Sequence, residues 1–349
     1  MNLITFLVIW SMPLSISPFP ADLRRKRWDL SVRFTVISTA VRWVSPTVTT
    51  MSIASPYWQQ RQDDDLLLDD LAASERELAD FAQAGGRSFY DATAPDYGRR
   101  AAEVAAMAER QQVQVIATAG FNKGFLWSSP RPGQDHTFAE WIDATPVDAL
   151  VEQVCNEVLI GIDGTSQRAG VVKCGTGYNT ISRLERKTME VIVRAQQHTG
   201  APMHTHTEMG TMALEQAAIF KHLGLDLSRL CFAHLDRSPD PWLHHQVAKT
   251  YAFILSDGMT RIKYHPENVR TEAILSLCRK GYQDRIVIGG DFARKSMSAH
   301  YGLGGLGLKF ILTDWRPRFI EEAHAAGMDG EALLQAFFVD NPARYFSFG

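Results

Sequence analysis

From about residue 64 to the C-terminus the chain alternates short β-branched or aromatic runs with longer helical patterns, and no other feature restricts its fold as strongly. "DLLLDDLAASERELADFAQAGG" places Leu67, Leu71, Leu78 and Phe81 at near-helical spacing and stops at Gly85 and Gly86. "RSFYDAT" then reads as a strand, "GRRAAEVAAMAERQQ" as an alanine-rich helix and "VQVIATAG" as a β-branched strand. The pattern runs on through "AGVVKCGT", the helix "RLERKTMEVIVRAQQHTG", "APMHTHT", the helix "TMALEQAAIFKHLG" and "RLCFAHLD". It ends with "HHQVAKTYAFILSDG", "RIKYHP", the helix "TEAILSLCRKGYQ" and "RIVIGGD". Such regular α/β alternation implies a parallel sheet with right-handed crossovers. The number of units favours a closed (β/α)8 TIM barrel over the alternative, an open doubly wound sheet.

Spacing supports the barrel. Polar residues end the later strands at Lys173, His206, His234, Lys263 and Asp291, with separations of 33, 28, 29 and 28 residues. A barrel of about 250 residues advances roughly 31 residues per unit, so these five side chains should ring one mouth. Singly, each reads as a polar residue satisfied at a strand end. Jointly they describe a site. Two imidazoles and a carboxylate suit zinc or a similar divalent ion. An ammonium cannot ligate metal, but a desolvated lysine has a lowered pKa and can react with carbon dioxide to give an anionic carbamate.

The motifs "AGVVKCGT", "TGAPMHTHT", "RLCFAHLDRSPD", "RIVIGGDFARKS" and the ending "NPARYF" resemble successive strand ends of the phosphotriesterase family, in the amidohydrolase superfamily. The resemblance runs from about residue 64 to the C-terminus and is nearest in character to lactonase-like members. It implies two divalent metals, most simply zinc, bridged by an N-carboxylated Lys173. It implies that His206 and His234 bind one ion, and that Asp291 binds the other and shuttles the proton. His204, two residues before His206 on the same strand, should sit deeper on the same face, in contact with substrate or behind the ligands. His244 and His245 read as surface residues, and His265 as a residue able to reach the mouth.

One element of that resemblance is missing. The family carries a His-x-His pair on its first strand, which should end here near residues 48 to 56, where the sequence reads "VTTMSIASP"; no histidine precedes His136. The first 60 residues also hold six basic residues against two acids. If Thr50 ends in C, the codons of Met51, Ser52 and Ile53 can read C-ATG-AGC-AT, which regroups as CAT-GAG-CAT, His-Glu-His. The expected organisation is therefore an atypical segment at 1–57, disordered or mistranslated, followed by a metal-dependent hydrolase barrel at 58–349.

With a full centre the resemblance implies hydrolysis by metal-activated hydroxide. Lys263, Arg294 and Lys295 add positive charge, and family members with basic residues there look like hydrolases of sugar or phospho-sugar lactones. The open alternatives are an organophosphate hydrolase, a degenerate barrel that only binds, and a metal-free enzyme with Lys263 as a Schiff-base nucleophile. "HYGLGGLGLKF" should form a loop over the mouth and lacks the βαβ context of a dinucleotide site. A net charge of -3 excludes a general affinity for nucleic acid, and the four cysteines form no CxxC pair. The expected partner is a small molecule, without nucleic acid or membrane, and the assembly to test is a homodimer. The opening apolar run precedes its basic cluster, the reverse of a secretory signal, so a cytoplasmic location is expected.

Overall fold

The computed structural model describes residues 63–348. Seven strands occur among them: β1 (Ser88–Tyr90), β2 (Gln114–Gly120), β3 (Ala169–Gly175), β4 (Met203–His206), β5 (Leu230–Ala233), β6 (Phe253–Ser256) and β7 (Ile286–Ile288). All pair in parallel and in sequence order, the arrangement of a barrel and not of a doubly wound sheet. The first strand expected from the spacing lies outside the described residues.

Helix α1 (Leu71–Gln83) precedes β1, and α2 (Ala101–Arg110) links it to β2. Helices α3 (Phe138–Ala144) and α4 (Val147–Leu159) lead to β3, and α5 (Arg183–Thr199) to β4. Then α6 (Ala213–His222), α7 (Pro241–Ala248) and α8 (Glu267–Arg279) precede β5, β6 and β7, and α9 (Arg316–Ala325) follows. The boundaries follow local chemistry. Ser182 and Glu185 close a capping box on α5, which stops at Gly200 in the left-handed conformation. No helix among the described residues is long and apolar enough to cross a membrane.

Alternation along the strands separates two cores. Val172, Cys174, Met203, Phe232, Ile254 and Ile288 face outward to the helices. Tyr90, Val171, Cys231, Phe253, Leu255 and Val287 face inward and form one cluster that joins β1 to β7, so the sheet curls around a common axis. Tyr345 and Phe346 of "NPARYF" close its floor, where the Tyr345 hydroxyl donates to the carbonyl of Met203 at 3.1 Å. The inward positions left at the opposite end are polar, and they build the site.

One sequence expectation is corrected. "RIKYHP" is not the seventh strand; that strand is β6, "FILS", and the polar residue at its end is Asp257. Residues 261–266 form a turn whose carbonyls are satisfied by a buried guanidinium instead of a neighbouring strand. Arg270 donates to the carbonyls of Arg261 and His265, each at 2.7 Å, and pairs with Asp236 at 3.2 Å. The glycine-rich segment is corrected too. The amides of His300 and Leu308 donate to Glu77, and Tyr301 bonds to Ser74 and to the carbonyl of Asp70. It is tied to α1, and none of its residues lines the cavity below the mouth.

Candidate metal centre

Lys173, His204, His206, His234 and Asp291 line one cavity of about 230 Å³ at the C-terminal ends of the strands. Lys173 and His204 are register partners on β3 and β4, and His206 lies across from Gly175. A Cβ at Gly175 would stand 2.6 Å from that of His206, so glycine here lets the two strands present Lys173 and His206 together. His234 and Asp291 follow the last residues of β5 and β7 in left-handed conformations, φ 66° and 43°. Such backbones cost about 1–3 kcal/mol each in non-glycine residues and concentrate at functional sites.

His206 and His234 meet. Their rings lie 4.5 Å apart, edge to face. Burial first, then the neighbouring cations Lys123 and Arg237, hold both pKa values well below the ordinary range, so both rings are neutral. His234 donates from Nδ1 to Asp257 at 2.8 Å, which leaves Nε2 to ligate. His206 Nε2 lies 2.9 Å from the Lys123 ammonium, which also pairs with Glu208. Burial would raise the Asp291 carboxyl, but the Arg261 and Arg237 guanidinium groups hold it well below its usual range. Burial brings Lys173 down to about 8, and its Nζ donates to the carbonyl of Ala92 at 2.7 Å.

This donor set fits a divalent ion. Two neutral imidazoles and a carboxylate already face cations: Lys123 stands against His206, and both Arg237 and Arg261 pair with Asp291. Lys173 at about 8 has an appreciable neutral fraction in mildly alkaline solution, the form that carbon dioxide carboxylates. By the resemblance, these four would be the described part of a two-metal centre. The His-x-His for the other half was expected at 48–56, outside the described residues. Among the described residues, His324, Asp329 and Glu331, all exposed, have ligand atoms within 4.8 Å of one another.

The other expected residues divide. His204 is buried one pleat below His206, with its ring 5.2 Å from that of Tyr90 and its Nδ1 without a partner. Arg294 lines the cavity, but Nη1 is held at 3.0 Å by both Asp63 and Asp65. Lys263 is exposed beside the Tyr264 ring and does not line the cavity; Arg261 and Tyr264 of the same turn do. His265 donates to the carbonyl of Arg237 at 3.1 Å and does not line it either. His244 is buried against the carbonyl of Leu235, not at the surface, and His245 packs on Tyr282.

Sequence reading missed Lys123, Glu208, Arg237, Asp257 and Arg261, all of which line the cavity. "HTHTEMG", "AHLDRS" and "ILSDGM" carried the available signal, a charged residue within four positions of each strand end.

A sequence profile of the phosphotriesterase family matches residues 43–346. The chain is 30% identical over 298 residues to a phospho-furanose lactonase of Mycoplasmopsis synoviae, covering 81% of this chain and 82% of that one. In structure it is similar to a lactonase from Listeria monocytogenes, with a TM-score of 0.85 and 48% identity over 88% of this chain and 96% of that one. It is also similar to the phosphotriesterase homology protein of Escherichia coli, solved with phosphate in its active site. There the TM-score is 0.78 and the identity 25%, over 87% and 99% of the two chains. Barrel order, strand-end donors and profile agree: the chain belongs to the phosphotriesterase family of hydrolases.

Proposed function

We propose that this hydrolase opens the lactone ring of an anionic sugar derivative, a phosphorylated furanose lactone, with the help of a divalent metal, most simply zinc. The observation that carries this reading is the charge on the cavity wall. Apart from Lys173, which carboxylation would turn into an anion, the lining carries four cations, Lys123, Arg237, Arg261 and Arg294, against the three lining acids Glu208, Asp257 and Asp291. An apolar, neutral pocket would suit an organophosphate triester; this wall suits a phosphate, which guanidinium groups bind by paired, charge-assisted hydrogen bonds. The similarity to a phospho-furanose lactonase and to a protein that holds phosphate in its active site supports the same class.

Lys173, His206, His234 and Asp291 would hold the metal, which lowers the pKa of water and polarises a carbonyl oxygen when bound. The chain's own residues supply the rest. Asp257 keeps His234 in one tautomer through Nδ1. Asp291, ionised across the neutral range, takes the proton of the attacking water at its carboxylate and passes it to the ring oxygen that leaves. Arg294 at the rim anchors the phosphate, and Arg237 and Arg261 hold Asp291 in place. His204, deeper on the same face, limits how far the ring can enter.

The test is hydrolysis of a five-membered sugar lactone with and without a 5-phosphate, by protein prepared with zinc and bicarbonate. The phosphorylated lactone is expected to have a kcat/KM at least tenfold higher, the scale of one charge-assisted hydrogen bond. Equal rates, or a preference for neutral triesters, would remove the reading. A second reading rests on the absence of His-x-His from residues 1–62. A chain made as written would bind one ion or none and act as a binding protein, and metal content per chain separates the two.

A further inference from the structure

The acidic run Asp63–Asp65 lies against the segment after β7 that carries Arg294. Asp63 Oδ2 and Asp65 Oδ2 each accept from Arg294 Nη1 at 3.0 Å. Asp65 also accepts from the amide of Ser296 at 2.7 Å and from its hydroxyl at 2.9 Å, and Asp64 takes the Lys295 ammonium at 3.0 Å. The Asp63 side chain accepts from the Asp65 amide at 3.2 Å, so the run is itself braced. Leu66, the next residue, lines the cavity beside Arg294. Both bonds to Arg294 leave from a single nitrogen; Nε and Nη2 make no hydrogen bond among the described residues.

A guanidinium recognises an oxyanion best through two N–H groups on one edge, and a long side chain loses conformational freedom when it is fixed for that contact. Holding Nη1 meets that loss before ligand arrives and leaves the Nε–Nη2 edge uncommitted among the described residues. We propose that Asp65, assisted by Asp63, is a positioning residue for the anion subsite: it fixes Arg294 so that its second edge receives the phosphate of the substrate. This rests on the reading of Arg294 as the phosphate anchor. Asp65 is the principal member because it alone grips the guanidinium and the backbone of the same segment.

The competing account has the opposite sign. If the carboxylates only occupied Arg294 in place of substrate, removing one would tighten phosphate binding. Inorganic phosphate is the probe, titrated calorimetrically into the full-length, zinc-loaded chain and its Asp65→Asn, Asp63→Asn and Arg294→Ala variants. Asp65→Asn is expected to weaken phosphate roughly tenfold, the scale of a hydrogen bond to a charged group. Asp63→Asn should weaken it by a smaller factor. The KM for the phosphorylated lactone should rise in step with phosphate affinity, while kcat and the KM for the unphosphorylated lactone stay within about twofold, the pattern of lost ground-state binding. Unchanged or tighter phosphate in the Asp65 and Asp63 variants, with weakening in Arg294→Ala, overturns the positioning role alone. No weakening in Arg294→Ala overturns the anchor, and the proposal with it. Asp63 is exposed and, among the described residues, its side chain bonds only Arg294 and the local backbone, so its variant carries the prediction even where Asp65→Asn unsettles the fold.

Discussion

At the scale of single residues, the site is a set of buried groups whose charges are arranged by their neighbours. Asp257 illustrates this. Burial, with Asp291 nearby, lifts its carboxyl to about 7, yet it still holds His234 Nδ1 at 2.8 Å. Carboxylate partners of ligand histidines change metal affinity by about 10–100-fold when removed. Asp257→Asn should therefore weaken zinc binding by that order in competition with a chelating dye; unchanged affinity would mean that His234 is not a ligand. Asp96 makes a pH prediction. Burial raises it to about 6, although it accepts from the Asn122 amide and Trp127 Nε1. Its folded value lies above its unfolded one, so its contribution to stability is full below about 4 and is lost as pH rises through about 6. Stability relative to Asp96→Asn should grow as pH falls from 7 to 4, measured by urea unfolding at each pH. A constant difference contradicts the shift. Lys173, His206, His234 and Asp291 were legible in sequence because each ends a strand-like run. Lys123, Arg237 and Arg261 were not, because they matter through partners 54 to 85 residues away or on another strand's loop.

Among the elements, the turn after β6 shows where pattern reading stops. "RIKYHP" has the β-branched and aromatic content of a strand, and nothing local distinguishes it from "FILS". The difference is tertiary: Arg270 on α8, fully buried, collects the turn's carbonyls and Asp236. A Cβ at Gly258 would stand 2.3 Å from Asp236 Oδ2, so the turn also depends on that glycine. Arg270→Met would strand Asp236 in the interior. It should cost about 3–5 kcal/mol in chemical denaturation. A loss under 1 kcal/mol would show that the pair does not hold the turn. The glycine-rich segment was misplaced for a related reason, since Glu77, a buried acid on α1, ties it down through two backbone amides.

For the whole molecule, alternation, strand order and the residues at the mouth were readable because a barrel repeats one unit, and each repeat corroborates the others. The first strand is the exception. Its place follows from the spacing, but no metal-binding pair stands there. Sequencing the gene across codons 40 to 60 should find codons that regroup as His-Glu-His; codons that cannot do so end that explanation. A metal centre formed by Lys173, His206, His234 and Asp291 would be read in the metal content of the chain. Elemental analysis of protein from zinc-supplemented, bicarbonate-containing medium should give at least one ion per chain, rising to two where a His-x-His is restored and falling to none in His206→Ala/His234→Ala. No metal in the unaltered chain, or the same content in the double variant, would contradict it.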